Sequence, residues 1–301
     1  MKRHWLTALL AGLAASTGAL AADPKEMVIE VPGFADFLAV DGASVWTTNK
    51  GRVERWSKRG KLAAVAMTHP CGAMTIADGS LWVADCDELT VNRIDLKTAQ
   101  KIAVIPTGIA NPKGELNVAS GAESVWIASD DKGVIVRIDP ATNKVIASIP
   151  VDPGTYYLSF GFDALWAVSA TGQSLQKIDP ATNNVVHRTT LGRAPGFLVA
   201  GEGAVWVQEQ DDGTVARIDP ATGEVSGRVK IDETLKWGDI DAGGGKIWLR
   251  TTAGQTFVVL DPVTLAIRAR VGKPVGSGAL RYTKAGVWTS VTLIPSARDT
   301  S

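Results

Sequence analysis

Seven tryptophans, Trp46, Trp82, Trp126, Trp166, Trp206, Trp248 and Trp288, follow one another at intervals of 36, 44, 40, 40, 42 and 40 residues, each just after a Gly-rich turn. A fixed period of that size marks a stacked or radial array of like units, because one such unit cannot bury its own apolar face and must pack against its neighbours. The tryptophans are therefore read as packing residues between units rather than as stacking platforms for a ligand.

The fifth unit shows the pattern. Phe197-Leu-Val-Ala leads into a Gly201-Glu-Gly203 turn. Ala204-Val-Trp206-Val is followed by a polar loop, Thr214-Val-Ala-Arg-Ile by Asp219-Pro-Ala-Thr-Gly223, and Glu224-Val-Ser-Gly-Arg-Val229 ends it. Four short β-prone segments between turn residues predict a four-stranded antiparallel meander, strands A to D. In five consecutive units an Asp stands 13 residues after the Trp (Asp95, Asp139, Asp179, Asp219, Asp261), and in four of these Pro follows it. Asn143, Asn183 and Gly223 then occupy the place where a bulged hairpin needs a left-handed residue, so Asp-Pro-Ala-Thr is the C–D turn. The last unit has too little chain for a strand D, whereas Met27-Val-Ile-Glu-Val-Pro32 resembles one. The expected fold is thus all-β: a seven-bladed β-propeller of four-stranded antiparallel blades, its ring closed by the N-terminal strand at Val28 to Val31 pairing in the Trp288 blade.

Residues 1–21 have the form of a secretory signal: Lys2 and Arg3, an apolar run from Trp5 to Ala15 too short to span a bilayer, and Ala19-Leu20-Ala21 as a cleavage site. Residues 22–301 are then one exported domain, periplasmic or secreted, with no membrane anchor and expected to be a monomer. Without Lys2 and Arg3 the 31 basic residues fall to 29 against 31 acidic, a formal charge of −2 that offers nucleic acid no electrostatic footprint. Cys71 and Cys86 are the two cysteines. In an oxidising compartment a disulfide is favoured over a metal pair. If Asp78-Gly79 is a two-residue hairpin turn, Cys71 and Cys86 fall directly opposite each other, within disulfide reach.

Ile138-Asp-Pro-Ala-Thr-Asn-Lys-Val-Ile-Ala-Ser-Ile-Pro-Val151 resembles the repeat of the YVTN family of secreted β-propellers, and Asp78-Gly-Ser-Leu-Trp82 with Val91-Asn-Arg-Ile94 is similar to repeats of the virginiamycin B lyase family. The lyase resemblance implies metal-assisted opening of a cyclic ester by a histidine and a glutamate of the late blades. Here no His follows His187 and no Glu follows Glu233, so that pair has no counterpart. The matched residues are turn and packing positions and assign no activity.

Candidates for function come from the D–A and B–C loops, which converge on one face around the channel. His69 is the natural general base if there is one, with a solvated loop histidine as its bland reading. Asp85, Asp87, Glu88, Glu115, Asn117 and Asp239 could give oxygen ligands to Mg²⁺ or Ca²⁺, although turn carboxylates explain them as well. Tyr156, Tyr157, Phe197, Trp237, Arg250 and Arg281 fit a rim that binds a small molecule or a peptide. Burial between blades is their alternative. Phosphate-loop, zincin and Gly-x-Ser-x-Gly motifs are absent. The expectation is a module binding a small molecule, protein or peptide at its loop face; the alternative is a lyase or hydrolase of a lactone-like ester using a divalent metal.

Overall fold

The computed structural model describes residues 26–128, 132–235, 237–276 and 278–291; the signal-like segment lies outside them. Six four-stranded antiparallel sheets follow one another along the chain, over residues 38–66, 70–106, 118–150, 155–190, 195–230 and 240–271, each in sequential strand order. The innermost strands are Leu38–Asp41, Pro70–Ala77, Val118–Gly121, Thr155–Gly161, Pro195–Gly201 and Ile240–Ala242. In blade 1 strand B, Ser44–Asn49, is buried along its whole length, while strand D, Gly60–Ala66, alternates between exposed and half-buried. This gradient from centre to rim is that of a propeller blade.

Seven complete blades are not formed. The Trp288 unit is a two-stranded ribbon, Leu280–Thr283 with Gly286–Thr289, so the described residues form six blades and a ribbon. Residues 27–32 form no strand. An outer strand D can be laddered only onto a strand C, and no strand C is described after Thr289. Ile29 and Val31 instead pack against a cluster of Leu38, Val45, Trp56 and Ala279, beside Trp288. The ring closes by packing between the ribbon's inner strand, Leu280–Thr283, and that of blade 1, Leu38–Asp41.

The turn chemistry follows the sequence. Asn143, Asn183 and Gly223 have φ of 56°, 55° and 82°, and each C–D ladder slips by one residue there, between Arg137 and Ile138, Lys177 and Ile178, and Arg217 and Ile218. Asp139 anchors its turn by accepting from the Ala141 N–H at 2.8 Å and the Thr142 hydroxyl at 2.7 Å. These bonds hold its carboxyl below the usual range.

Most of the repeat tryptophans carry a second, less visible device. The indole N–H of Trp82, Trp126, Trp166, Trp206 and Trp248 donates at 3.1 Å to the carbonyl five residues earlier, closing the A–B turn. A cation from strand C lies over each of the first five rings: Arg55 over Trp46, Arg93 over Trp82, Arg137 over Trp126, Lys177 over Trp166 and Arg217 over Trp206. Four of these cations reach on into the next blade. Arg93 donates to the Pro140 carbonyl at 2.5 Å and Asn143 Oδ1 at 2.9 Å, and Arg137 to the Pro180 carbonyl at 2.6 Å and Asn183 Oδ1 at 2.8 Å. Lys177 donates to the Pro220 carbonyl and Arg55 to the Leu96 carbonyl. In blades 3, 4 and 5 the Asp-Pro-Ala-Thr turn is therefore the acceptor for the Trp-bound cation of the blade before it.

The Cys71–Cys86 disulfide is present, with a Cα separation of 5.9 Å, although the expected register is not. Asp78-Gly79 is the two-residue turn, with φ of 48° and 64°, and Ala77↔Ser80 and Thr75↔Trp82 oppose as expected. A bulge between Cys71 and Thr75 then sets Cys71 opposite Ala84, and the Cys86 N–H bonds the His69 carbonyl. The cysteines are diagonal neighbours on one face, still close enough to bridge.

Two outcomes follow. Arg93→Ala, which removes an inter-blade tie and a cation over Trp82, should cost about 2–3 kcal/mol in urea unfolding, against about 1 kcal/mol or less for Arg217→Ala, whose guanidinium bonds Ser226 of its own blade; equal costs would count against the inter-blade role. Non-reducing mass spectrometry should find both thiols joined, and reduction should cost about 2–3 kcal/mol for so short a loop.

Candidate functional site

The pairing of strand A with the repeat tryptophans puts the channel wall in layers. Ala39, Thr75, Ala119, Ser159, Val199, Asp241 and Arg281 stand opposite the seven tryptophans. One residue earlier lie Leu38, Met74, Val118, Leu158, Leu198, Ile240 and Leu280, all buried. The strand period of two turns their side chains toward the blade cores, although Met74, Val118, Leu158, Leu198 and Ile240 still border the channel cavity. Two residues earlier lie Phe37, Ala73, Asn117, Tyr157, Phe197, Asp239 and Ala279, the layer at the D–A mouth. Three of the seven are aromatic and meet across the channel: Tyr157 and Phe197 have ring centroids 4.6 Å apart, Phe37 and Phe197 6.4 Å, and Tyr156 stands edge-on to Tyr157 at 6.1 Å.

This aromatic layer divides the channel. Below it is a polar cavity of about 220 Å³ lined by residues that include Thr75, Asn117, Ser120, Ser159, Asp241 and Arg281. Above it, at the mouth, is a pocket of about 140 Å³ with Phe37, Phe197, Asp36, Glu115, Asp239 and Ala279 in its wall and Phe34 and Trp237 at its edge. Phe34 and Trp237 are 47% and 59% exposed, so both present aromatic surface to an incoming group. Glu115 is placed by a close approach of blade 2. Gly72, at φ 72°, lets strand A pass against Leu116, where any Cβ would lie 2.3 Å from the Leu116 carbonyl oxygen.

The carboxylates in the channel are not equally compensated. Asp239 pairs with the Arg281 guanidinium and accepts from the Ile240 and Leu280 N–H groups. Asp241 accepts from the Tyr282 N–H at 2.7 Å; burial raises its proton affinity while Arg281 opposes that. Glu115 Oε2 is buried with no hydrogen-bond partner. Burial, with the charges of Asp36 and Asp239 added, pushes the Glu115 carboxyl up to about 8, and burial and Asp239 push Asp36 up to about 6. Burial, then Glu115 and Tyr156, drive the Tyr157 phenol far above its ordinary range. Asp36 gave no signal in the sequence, because it precedes strand A of the first blade outside every repeat motif.

The other sequence candidates are placed apart from this pocket. Asp85 ends strand B of blade 2 and accepts from the backbone N–H groups of Thr68, His69, Asp87 and Glu88. His69 Nδ1 faces Asp87 Oδ1 at 3.0 Å, and Glu88 accepts from the Thr68 hydroxyl at 3.1 Å. Asn117 Oδ1 accepts from the Ala73 N–H, tying blades 2 and 3. The expected oxygen ligands for Mg²⁺ or Ca²⁺ thus serve three different places, and among the described residues no three His, Cys, Asp or Glu side chains come together as a metal site. Arg250 is fully buried, bonding Thr289 Oγ1 at 3.0 Å and the Ser290 carbonyl at 3.3 Å, with Nη1 unpartnered. Burial lowers it to about 10.

The residue three after each Trp explains several polar candidates at once. Asn49 accepts from the Phe34 N–H, Asp85 from Thr68 and His69, and Glu209 from Gly192 at 2.7 Å, while Ser169 donates to the Pro153 carbonyl. Each fixes the incoming D–A loop to the end of strand B, satisfying buried backbone groups.

No protein-family model and no curated protein sequence matches the chain. Solved structures do match in fold. A streptogramin B lyase is 17% identical with a TM-score of 0.74, covering 87% of this chain and 92% of that one. Virginiamycin B lyase from Staphylococcus aureus is 18% identical with a TM-score of 0.73, covering 85% and 91%. BamB from Moraxella catarrhalis is 16% identical with a TM-score of 0.64, covering 86% and 82%, and a chain of the mitotic checkpoint complex is 14% identical with a TM-score of 0.75, covering 97% and 96%. At such identities the likeness shows the fold alone, that of a β-propeller.

Because the native state holds protons on Glu115 and Asp36 that the unfolded chain has already lost, stability should fall as pH rises from about 4.5 toward about 8. Glu115→Gln removes the larger part of this loss. It should stabilise the protein by on the order of 2 kcal/mol at pH 8.5, after allowance for screening at the mouth, and by little at pH 5. An equal effect at the two pH values in chemical denaturation would refute the assignment.

Proposed function

We propose that this chain is an extracytoplasmic binding module that receives a small molecule, or the end of a protein or peptide side chain, in the mouth pocket of its propeller. The observation that carries the reading is the pocket's make-up: two exposed aromatics at its edge, an aromatic floor, and a volume of about 140 Å³. Aromatic anchors beside a small pocket are what recognition surfaces use. The volume is well below the 300–1,000 Å³ typical of a site that engulfs a drug-sized ligand, so the pocket suits one chemical group rather than a whole macrocycle. The disulfide agrees with an oxidising compartment, and the fold is shared with a chain of a protein complex.

Lyase or hydrolase action on a lactone-like ester has one observation in its favour, since Asp36 and Glu115 exchange protons near neutrality as general acids and bases must. The proposed divalent metal does not fit these residues. Asp85 is saturated by backbone N–H groups, Asp239 is held by Arg281, and His69 lines neither cavity.

A fragment screen read on the tryptophan indole resonances tests the reading. Binding should perturb Trp237, and Trp237→Ala should weaken it by about 1–2 kcal/mol, while His69→Ala and chelator leave it unchanged. Chelator-sensitive hydrolysis in a lactone panel, lost in His69→Ala, would contradict it.

A further inference from the structure

The mouth pocket is acidic without being a metal site. Of its three carboxylates only Asp239 has a cationic partner among the described residues, Arg281. Among the described residues Asp36 and Glu115 meet only further negative charge, from Asp239 and each other, and Glu115 Oε2 is buried with no donor there to satisfy it. The remaining wall is mainly apolar, Phe34, Phe37, Phe197 and Trp237 with Ala35, Ala279, Gly238 and Gly278, and Ser290 is its one further polar side chain. A hard cation such as Ca²⁺ takes six to eight oxygen ligands, and aromatic carbons supply none. An anion would face two unpaired carboxylates. What suits both kinds of wall is an organic cation: its N–H groups donate to carboxylate oxygens, its charge sits against aromatic faces, and its alkyl stem packs on them.

Resting on the binding-module reading, we propose that the mouth pocket binds a primary alkylammonium group, that of a free amine or of a lysine side chain, with Glu115 and Asp36 receiving its N–H groups and Trp237 and Phe34 flanking its stem. A volume of about 140 Å³, at roughly 30 Å³ per water-sized group, admits about five non-hydrogen atoms. That is the size of butylammonium, or of the end of a lysine side chain. A secondary consequence concerns protons. The groups facing Glu115 are Asp36, Asp239 with its partner Arg281, and Tyr157. An ammonium beside Glu115 favours its ionised form, so binding expels a proton, and affinity rises with pH between 6 and 8 while the amine itself stays protonated.

The experiment is calorimetric titration of the mature protein with n-butylamine, n-butanol and butyrate at pH 6, 7 and 8, in two buffers of different ionisation enthalpy, alongside Nα-acetyl-lysine N-methylamide. Butylamine should bind while butanol and butyrate do not, with close to one proton released at pH 7 and affinity rising about 25- to 50-fold from pH 6 to 8. Glu115→Gln should abolish the proton release and weaken binding at least tenfold. Asp36→Asn and Trp237→Ala, at half-buried and exposed positions, should weaken it severalfold. Tighter binding of the lysine derivative assigns a peptide source, and tighter binding of butylamine a free amine. Amine binding untouched by all three substitutions overturns the proposal. Butanol or butyrate binding at Trp237 in place of the amine overturns the ligand class and leaves the binding module standing, while no shift at Trp237 with any probe overturns both.

Discussion

The interaction on which the rest of this structure depends is the relay from indole to cation to the next blade's turn. A propeller has no continuous hydrogen-bonded sheet around its ring, so adjoining blades must be joined by side chains. Here Trp82 and Trp126 each hold a guanidinium against their ring faces, and that guanidinium reaches a proline carbonyl and an asparagine oxygen in the following C–D turn. The bonds are charge-assisted and part-buried, where such contacts are stronger than at a free surface. The same tryptophan closes its own A–B turn through the indole N–H. One residue type at one position therefore sets the internal shape of a blade and its angle to the next.

That rigid frame is what allows the channel to be sorted by layers. With strand A fixed opposite the tryptophans, alternate residues must face the channel, and the chain spends those positions unevenly: Phe37, Tyr157 and Phe197 close the throat, while Asp239, Asp241 and Arg281 supply charge from blade 6 and the ribbon. The ribbon brings Arg281 beside Asp239 and leaves Asp36 and Glu115, from the other side of the mouth, without a counter-charge among the described residues. Chemistry thus collects where the ring is least regular, between blade 1 and the two-stranded unit that replaces a further blade.

Much of the fold was legible in the sequence because turn chemistry is local. The left-handed Asn143 and Asn183, the one-residue slip after Arg137, and the two-residue turn at Asp78-Gly79 all follow from residue type and spacing. What depended on a distant partner was not legible. The count of seven blades failed because Val28 to Val31, although strand-like, has no strand C to pair with among the described residues. The disulfide formed through a register that the Cys71–Thr75 bulge altered, a displacement that no hairpin signal reveals. The acidic loop at Asp85 to Glu88 suggested a ligand set, yet its leading carboxylate is consumed by four backbone N–H groups. Glu115, Asp239, Phe197 and Trp237 were legible as candidates from their place before or at the start of strand A. Their meeting with Asp36 was not, since it joins residues more than 200 positions apart.

The central claim is that the ring assembles a mouth pocket in which Glu115 is buried among like charges, with no counter-ion among the described residues. Site-specific ¹³C NMR titration of the Glu115 carboxyl in the wild type and in Asp36→Asn tests it most directly. The account predicts a midpoint near 8 in the wild type, falling measurably when the Asp36 charge is removed. A midpoint at the ordinary carboxylate value near 4.5, unmoved by Asp36→Asn, would contradict it.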